Sequence, residues 1–207
     1  TDSIPILGTA VTEYGVALDI KDFNGTVGGN VSGTSDLAPL DQQAAMILEL
    51  FPDAKKIGIL YCSAEPNSVY QSDVVKAELE KSGVTVSVYT FADSNDVAAV
   101  TATACDENDV LYIPTDNTAA SCTEAINNVA EIAGEEGICA GCGVATLSIN
   151  YYDLGVTTGK MAAKILTGEA NISEMPIEYF PDPVKKYNPA ICEALGITVP
   201  EDYVAIG

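Results

Sequence analysis

Polar loops follow three predicted strands of this chain, and their residue types are suited to binding a small charged molecule. The first loop runs into a helix, the second opens another helix, and the third places two acids among small residues. The candidates are Glu65, Asn67 and Ser68 in the first loop, Thr115, Asp116 and Asn117 in the second, and Glu135 and Glu136 in the third. Hydroxyl, amide and backbone N–H donors suit a carboxylate, and acids suit an ammonium, so the set predicts a site for a zwitterion.

The two charges of such a ligand are assigned to different loops. Asn67 and Ser68, with the backbone N–H groups at the start of their helix, are expected to bind the carboxylate, because a helix N-terminus carries partial positive charge. Asp116, with one of the two glutamates of the third loop, is expected to bind the ammonium. Its neighbours Thr115 and Asn117 are expected to orient the ligand.

The same residues also have a purely structural interpretation, in which they cap helices. Ser68 and Gln71 have the spacing of a capping box at the start of a helix. Asn67, Asp116 or Asn117 could also act as an N-cap, and for a single loop after a strand capping is the commoner role. The two interpretations differ in whether the side chain faces a ligand or the backbone.

The residue types that the chain lacks exclude several functions. Its 207 residues include no His and no Trp, and all nine basic residues are Lys, against 30 acids and a formal net charge of −21. Without His there is no Ser-His-Asp or Cys-His nucleophile and no His-ligated zinc. Without Arg, and with this charge, nucleic acid is repelled. A hydrolase that uses a carboxylate pair stays open as the enzyme alternative, although such pairs are common among 30 acids.

Hydrophobic residues form 47% of the chain, too many for a disordered protein. No apolar run approaches the length of a membrane span, and the first residues, TDSIPILGTAV, lack the features of a signal peptide. Cys139 and Cys142 have the spacing of a redox or metal pair, but a structural disulfide or two idle thiols is the preferred interpretation. No metal or cofactor is expected.

Short apolar runs alternate with helical periods, which predicts an α/β fold with parallel sheets. The predicted strands are residues 4–11, 56–62, 84–91 and 110–115. The predicted helices are residues 44–51, 68–82, 122–130 and 154–165. In such a fold ligands bind beyond the carboxyl ends of the strands, where the polar loops lie.

Residues 22–36, DFNGTVGGNVSGTSD, interrupt this alternation. Their glycines, with Asn, Ser and Thr, are typical of a connector between structural units, which is either a solvated loop or a hinge that lets two lobes rotate. The first predicted strand, residues 4–11, then has no evident partner strand.

From Gly29 onward the order of motifs resembles the substrate-binding proteins of ABC importers. The motifs are GGNVSGTSD, PDAKKIGILYCSAEPNS, VLYIPTDNTAAS, AGEEG, INYYDLGVTTGKMAAKILTGE and NPAICEALGI. The pair EPNS and PTDN is fairly specific, and the chain is most similar to the tryptophan- and tyrosine-type binding proteins of Gram-positive bacteria. The resemblance implies a type I periplasmic-binding-protein fold, with two α/β lobes, three hinge crossings and a ligand in the cleft.

The resemblance also implies how the chain divides. Residues 1–32 are expected to be a remnant strand of lobe one and the hinge connector, and residues 33–150 to be lobe two. Residues 151–170 are expected to form a helix of lobe one, and residues 171–207 to return to lobe two. An N-terminal half-lobe and a lipoprotein signal are expected to precede this chain in the full-length protein.

The function implied by the resemblance is binding without catalysis. The ligand is a small zwitterion, an amino acid and more narrowly an aromatic one, delivered to ABC permease subunits by an extracytoplasmic, lipid-anchored protein of the Gram-positive cell surface. Tyr14, after the first strand, is a candidate for the ring that contacts an aromatic ligand. The alternatives are the carboxylate-based hydrolase and a sensory ligand-binding domain of the same fold.

Overall fold

A computed structural model describes residues 2–133, 137–138 and 143–206. Within them lie ten strands: β1 (Ile6–Gly8), β2 (Val31–Ser35), β3 (Lys56–Cys62), β4 (Thr85–Phe91), β5 (Val110–Tyr112), β6 (Gly137–Ile138), β7 (Ala145–Ser148), β8 (Glu178–Tyr179), β9 (Val184–Tyr187) and β10 (Val204–Ala205). The same residues form eight α-helices: α1 (Tyr14–Ala17), α2 (Leu40–Leu50), α3 (Pro66–Lys81), α4 (Val97–Glu107), α5 (Asn117–Ser121), α6 (Thr123–Ala133), α7 (Tyr151–Leu166) and α8 (Pro189–Leu195).

The chain divides into two compact units. The first comprises Thr1–Ala38 and Ile149–Pro183, and the second comprises Pro39–Ser148 and Val184–Gly207. The chain therefore passes between the units three times. This division differs from the predicted one in three places, since residues 33–38, 149–150 and 171–183 belong to the first unit. The reason is strand pairing, because β2 lies in one sheet with both β1 and β8.

The sheet of the first unit is parallel, in the order β1-β2-β8, and α7 packs against β1 and β2. The prediction that residues 22–36 form a connector is wrong for β2, which pairs with β1 from Ile6 opposite Val31 onward. Ser32 and Thr34 are fully buried there. Their hydroxyls bond within the unit, Ser32 to the carbonyl of Met175 and Thr34 to the hydroxyl of Thr158. Satisfied hydroxyls let a polar sequence form a buried strand.

Gly33 is required by the close approach of β1 and β2. Its φ is +150°, and a Cβ at this position would collide with the backbone of Gly8 and the hydroxyl of Tyr14. No other residue type fits both the backbone conformation and the space.

The second unit contains a parallel sheet in the order β4-β3-β5-β6, and α3 and α4 both pack against β3 and β4. Its core includes Leu60, Phe91, Ile113 and Ile126. A second sheet, in the order β10-β9-β7, contains the antiparallel pair β7 and β9. The predicted α/β class with parallel sheets is confirmed, and it places the ends of β3 and β5 at one edge.

We expect Gly33→Ala to lower the free energy of unfolding by about 3 kcal/mol or more, because the added methyl forces β1 and β2 apart. Gly159→Ala is the matched control, since a Cβ there meets open space on α7. It should raise the free energy of unfolding by about 0.5–1 kcal/mol. Urea unfolding of both variants measures the difference, and a Gly33→Ala protein as stable as wild type would contradict the β1–β2 pairing.

Candidate functional site

The carboxylate of Asp116 is the centre of a hydrogen-bond network at the carboxyl edge of β3 and β5. Its Oδ2 accepts bonds from the backbone N–H of Cys62, at 2.9 Å, and from the hydroxyl of Ser68, at 2.7 Å. Its Oδ1 accepts from the N–H of Ala119, at 2.7 Å, so Asp116 is the N-cap of α5. The residue is 3% exposed. One buried carboxylate thus joins the end of β3 to the first turns of α3 and α5.

Asn67 and Gln71 attach α3 to the loop after β5. The Asn67 Nδ2 donates to the carbonyl of Thr115 at 2.9 Å. The Gln71 side chain donates to the same carbonyl at 3.0 Å and accepts from the Thr115 N–H at 3.0 Å. The predicted capping box of Ser68 and Gln71 is therefore wrong. The helix begins at Pro66, and Glu65 is its N-cap. The side chains of Ser68 and Gln71 do not cap it, because they are buried and bond to Asp116 and to Thr115.

Glu65 is held by the first residues of α5. Its two carboxylate oxygens accept from the backbone N–H and the side chains of Asn117 and Thr118, at 2.7–3.1 Å. Burial opposes ionisation of this group, but the four donated bonds outweigh it and lower the pKa of Glu65 below its ordinary value. Glu65 is therefore a charged brace between α3 and α5.

The structure brings six of the eight predicted site residues into this network, which we call the strand-end network: Glu65, Asn67, Ser68, Thr115, Asp116 and Asn117. Within it the side chains bond to each other and to backbone groups. Asp116 has the capping role that was the structural alternative, and the Ser68 hydroxyl donates to it instead of facing solvent. Their contact with a ligand stays a prediction.

Several predicted positions lie outside the residues that the structure describes. They are Glu135 and Glu136 of the third loop, and Cys139 and Cys142. The other four cysteines, Cys62, Cys105, Cys122 and Cys192, form no disulfide among the described residues. Across the described residues, no cluster of three or more His, Cys, Asp or Glu side chains could hold a metal ion. No helix in those ranges has the length and hydrophobicity needed to cross a bilayer.

Asp36, in the first unit, is a candidate that the sequence reasoning missed. It follows β2 directly and is 8% exposed. Its Oδ2 accepts a bond from the hydroxyl of Tyr151, at 3.0 Å, whereas its Oδ1 is buried and has no hydrogen-bond partner among the described residues. An acid directly after a strand is a candidate ligand-binding residue, and this position could have identified Asp36. It was missed because residues 22–36 were interpreted as a connector, so that β2 was not predicted.

Two tyrosine side chains, those of Tyr14 and Tyr151, interact with Asp36. Burial and then the negative charge of Asp36 raise the pKa of Tyr14 to about 12, and the same two causes raise that of Tyr151 to about 12. Tyr14 is 3% exposed, so the prediction that it offers a ring to a ligand is wrong. Its hydroxyl instead donates to the carbonyl of Thr34 inside the unit. Tyr151, which bonds to Asp36, is 57% exposed, and Tyr179 is 44% exposed.

A cavity of about 810 Å³ also lies in the second unit, but at the opposite edge of its sheet. Its lining includes Lys55 and Asp109, which immediately precede β3 and β5. The Asp109 carboxylate accepts from the N–H groups of Lys55 and Lys56, and these bonds lower its pKa. Ligands of parallel sheets bind at the carboxyl edge, so this cavity is not the candidate site.

We expect Asp116→Ala to lower the free energy of unfolding by about 3 kcal/mol, because it leaves the buried donors of Cys62, Ser68 and Ala119 without an acceptor. Asp73→Ala, at an exposed position of α3, is the control and should change stability by less than about 0.5 kcal/mol. Thermal unfolding measures both. An Asp116→Ala protein of unchanged stability that binds ligand at least tenfold more weakly would instead support direct ligand contact.

Glu65→Gln should destabilise the protein near neutral pH by about 1 kcal/mol and lose that effect in acid. The pKa of Glu65 is lowered by folding, so its contribution is present above the ordinary glutamate pKa and disappears as the pH falls through the lowered value. The melting temperatures of wild type and variant should differ fully above about pH 5 and converge as the pH falls to about pH 3 and below. Glu124→Gln, at an exposed position, serves as the control, and a pH-independent difference for Glu65→Gln would contradict the charged brace.

Comparison with known proteins shows what the chain is similar to. The family model described as ABC transporter substrate binding protein matches residues 1–206. A tyrosine-binding protein of Clostridioides difficile (strain R20291) is 34% identical over 183 residues, which are 86% of this chain. The chain spans about half the length of that curated relative, 52%.

Two solved structures have a similar fold and a similar degree of identity. One is an ABC domain in complex with L-Trp from Streptococcus pneumonia, with 34% identity and a TM-score of 0.87 over 97% of this chain and 70% of that one. The other is the ligand-free, open structure of a substrate binding protein with adhesive properties from Clostridium difficile. It has 35% identity and a TM-score of 0.76 over 100% of this chain and 72% of that one. These likenesses confirm the predicted type I periplasmic-binding-protein fold. The chain belongs to the family of ABC transporter substrate-binding proteins.

Proposed function

We propose that this protein captures an aromatic amino acid and delivers it to the permease subunits of an ABC importer. The observation that carries the proposal is the family match over residues 1–206. It is supported by one relative that is named a tyrosine-binding protein and by another whose structure contains L-Trp. Capture takes place outside the cytoplasm, and a lipid anchor of the Gram-positive type would keep the protein near its permease.

The geometry of the second unit supports binding by a pre-formed site. The strand-end network fixes the loops after β3 and β5 through bonds whose donors and acceptors are all within the protein. Loops held in this way lose little conformational freedom when a ligand binds, so more of the interaction energy appears as affinity. In this proposal Ser68 and Asp116 position the loops, and Asn67, Thr115 and Asn117 form the polar surface beside the ligand.

The chemistry of Glu65 favours binding over hydrolysis. A carboxyl group that acts as a general acid needs a pKa raised towards the working pH. The pKa of Glu65 is lowered, and both of its oxygens accept hydrogen bonds from Asn117 and Thr118. Glu65 therefore lacks the raised pKa that the general acid of a glycosidase requires.

Calorimetric titration of the purified protein with L-tyrosine, L-tryptophan, L-phenylalanine and L-alanine tests this function. The aromatic amino acids should bind at least about a hundredfold more tightly than alanine, since burial of apolar surface contributes roughly 0.8 kcal/mol per methylene-sized group. Equal affinity for alanine and tyrosine would contradict the aromatic assignment and leave amino-acid binding in place. Absence of saturable binding to any amino acid, or product formation, would contradict the function itself.

A further inference from the structure

The first unit contains a buried carboxylate that its own residues satisfy only in part. Asp36 is 8% exposed, and only its Oδ2 has a donor, the hydroxyl of Tyr151. Its Oδ1 has no partner in the described ranges. A buried polar atom without a partner is costly, and a buried negative charge is more so. The arrangement is therefore complete only when a donor from elsewhere reaches Oδ1.

The described part of the first unit supplies no cation to this carboxylate. The four ion pairs that the structure describes are formed by Lys76, Lys81 and Lys185, all of which belong to the second unit. The chain has no Arg and no His that could donate instead. A neutral donor would fill the hydrogen bond of Oδ1 and leave the charge of Asp36 uncompensated, whereas an ammonium provides both a donor and a positive charge.

We propose that Asp36 binds the primary ammonium of the ligand through its Oδ1, and that Tyr151 is a positioning residue that holds the carboxylate through Oδ2. This inference rests on the proposed function, because it assigns one charge of the amino-acid ligand to a particular residue. It assigns the ammonium to Asp36 in place of Asp116, whose two oxygens already accept three bonds.

Position in the fold supports this assignment. Asp36 lies at the carboxyl end of β2, which is where ligands of a parallel sheet bind. Tyr151, which donates to it, is 57% exposed, and Tyr179 at the end of β8 is 44% exposed. An apolar ring face next to an ammonium site suits an amine that carries an aromatic body.

Three probes separate the charges of the ligand. L-tyrosine has both charges, tyramine keeps the ammonium and lacks the carboxylate, and 3-(4-hydroxyphenyl)propionate keeps the carboxylate and lacks the ammonium. Calorimetric titration of each probe into wild type and into Asp36→Asn is the primary experiment. The Asn side chain keeps the size of Asp36 and can still accept the bond from Tyr151, so the variant removes mainly the charge.

We expect Asp36→Asn to weaken L-tyrosine and tyramine by about thirtyfold or more, because a buried charge pair loses one partner. Its affinity for 3-(4-hydroxyphenyl)propionate should stay within about threefold of wild type. An Asp36→Asn protein that binds L-tyrosine as tightly as wild type would overturn the inference. So would a variant that loses affinity equally for all three probes, since that result reports a general disturbance of the site.

Two tyrosine variants decide the question if Asp36→Asn fails to fold. Tyr151→Phe removes the hydroxyl that holds the carboxylate and should weaken the two amines by about three- to tenfold, with the deaminated acid unchanged. Tyr152→Phe is the matched control, because Tyr152 is 79% exposed and its one described hydrogen bond is made by the backbone N–H and not by the hydroxyl. An equal effect of Tyr151→Phe on all probes, or no effect, would overturn the positioning role and the inference with it.

The outcomes also separate this inference from the proposed function. If wild type binds L-tyrosine and Asp36→Asn binds it equally well, the proposed function stands and the ammonium site is overturned. If wild type binds tyramine in a way that depends on Asp36 but binds no amino acid, the ammonium site stands and the proposed function is overturned. Failure of both amines to bind wild type overturns both.

Discussion

The arrangement of the second unit depends on one buried carboxylate that receives three hydrogen bonds. Asp116 accepts from the end of β3, from α3 and from α5, and it does so in the interior, where an unbonded acid would strongly destabilise the fold. This requirement fixes where the two helices begin relative to the strand. The loops that precede those helices therefore have little freedom, and a site formed from them is rigid before a ligand arrives.

The fold could be predicted best where burial is complete. β3 matches the predicted residues 56–62 because a strand covered on both faces is a continuous apolar run. β2 could not be recognised in the same way, because its residues are Val, Ser, Gly, Thr and Ser. The hydroxyls of its Ser32 and Thr34 bond to Met175 and to Thr158 of α7, and both partners are more than 120 positions away in the chain. No local pattern contains that information.

The position of the candidate site could be predicted from the sequence, but the roles of its residues could be predicted only in part. Alternation of strands and helices was enough to bring Glu65, Asn67 and Asp116 to one edge of a sheet. Whether an acid there faces a ligand or a backbone N–H depends on the exact start of each helix, and sequence patterns define helix ends poorly. Asp36 was missed for a related reason, since it marks the end of a strand that composition conceals. That the Oδ1 of Asp36 is buried without a partner among the described residues can be seen only in the three-dimensional structure.

The central claim is that this protein holds an aromatic amino acid, and native mass spectrometry tests it most directly. The protein, freed of bound ligand by unfolding and refolding, is incubated with an equimolar mixture of the protein amino acids and its complex mass is recorded. We expect one added mass, equal to that of tyrosine, tryptophan or phenylalanine, which is released on denaturation. A protein that keeps only its own mass, or that selects a non-aromatic amino acid, would contradict it.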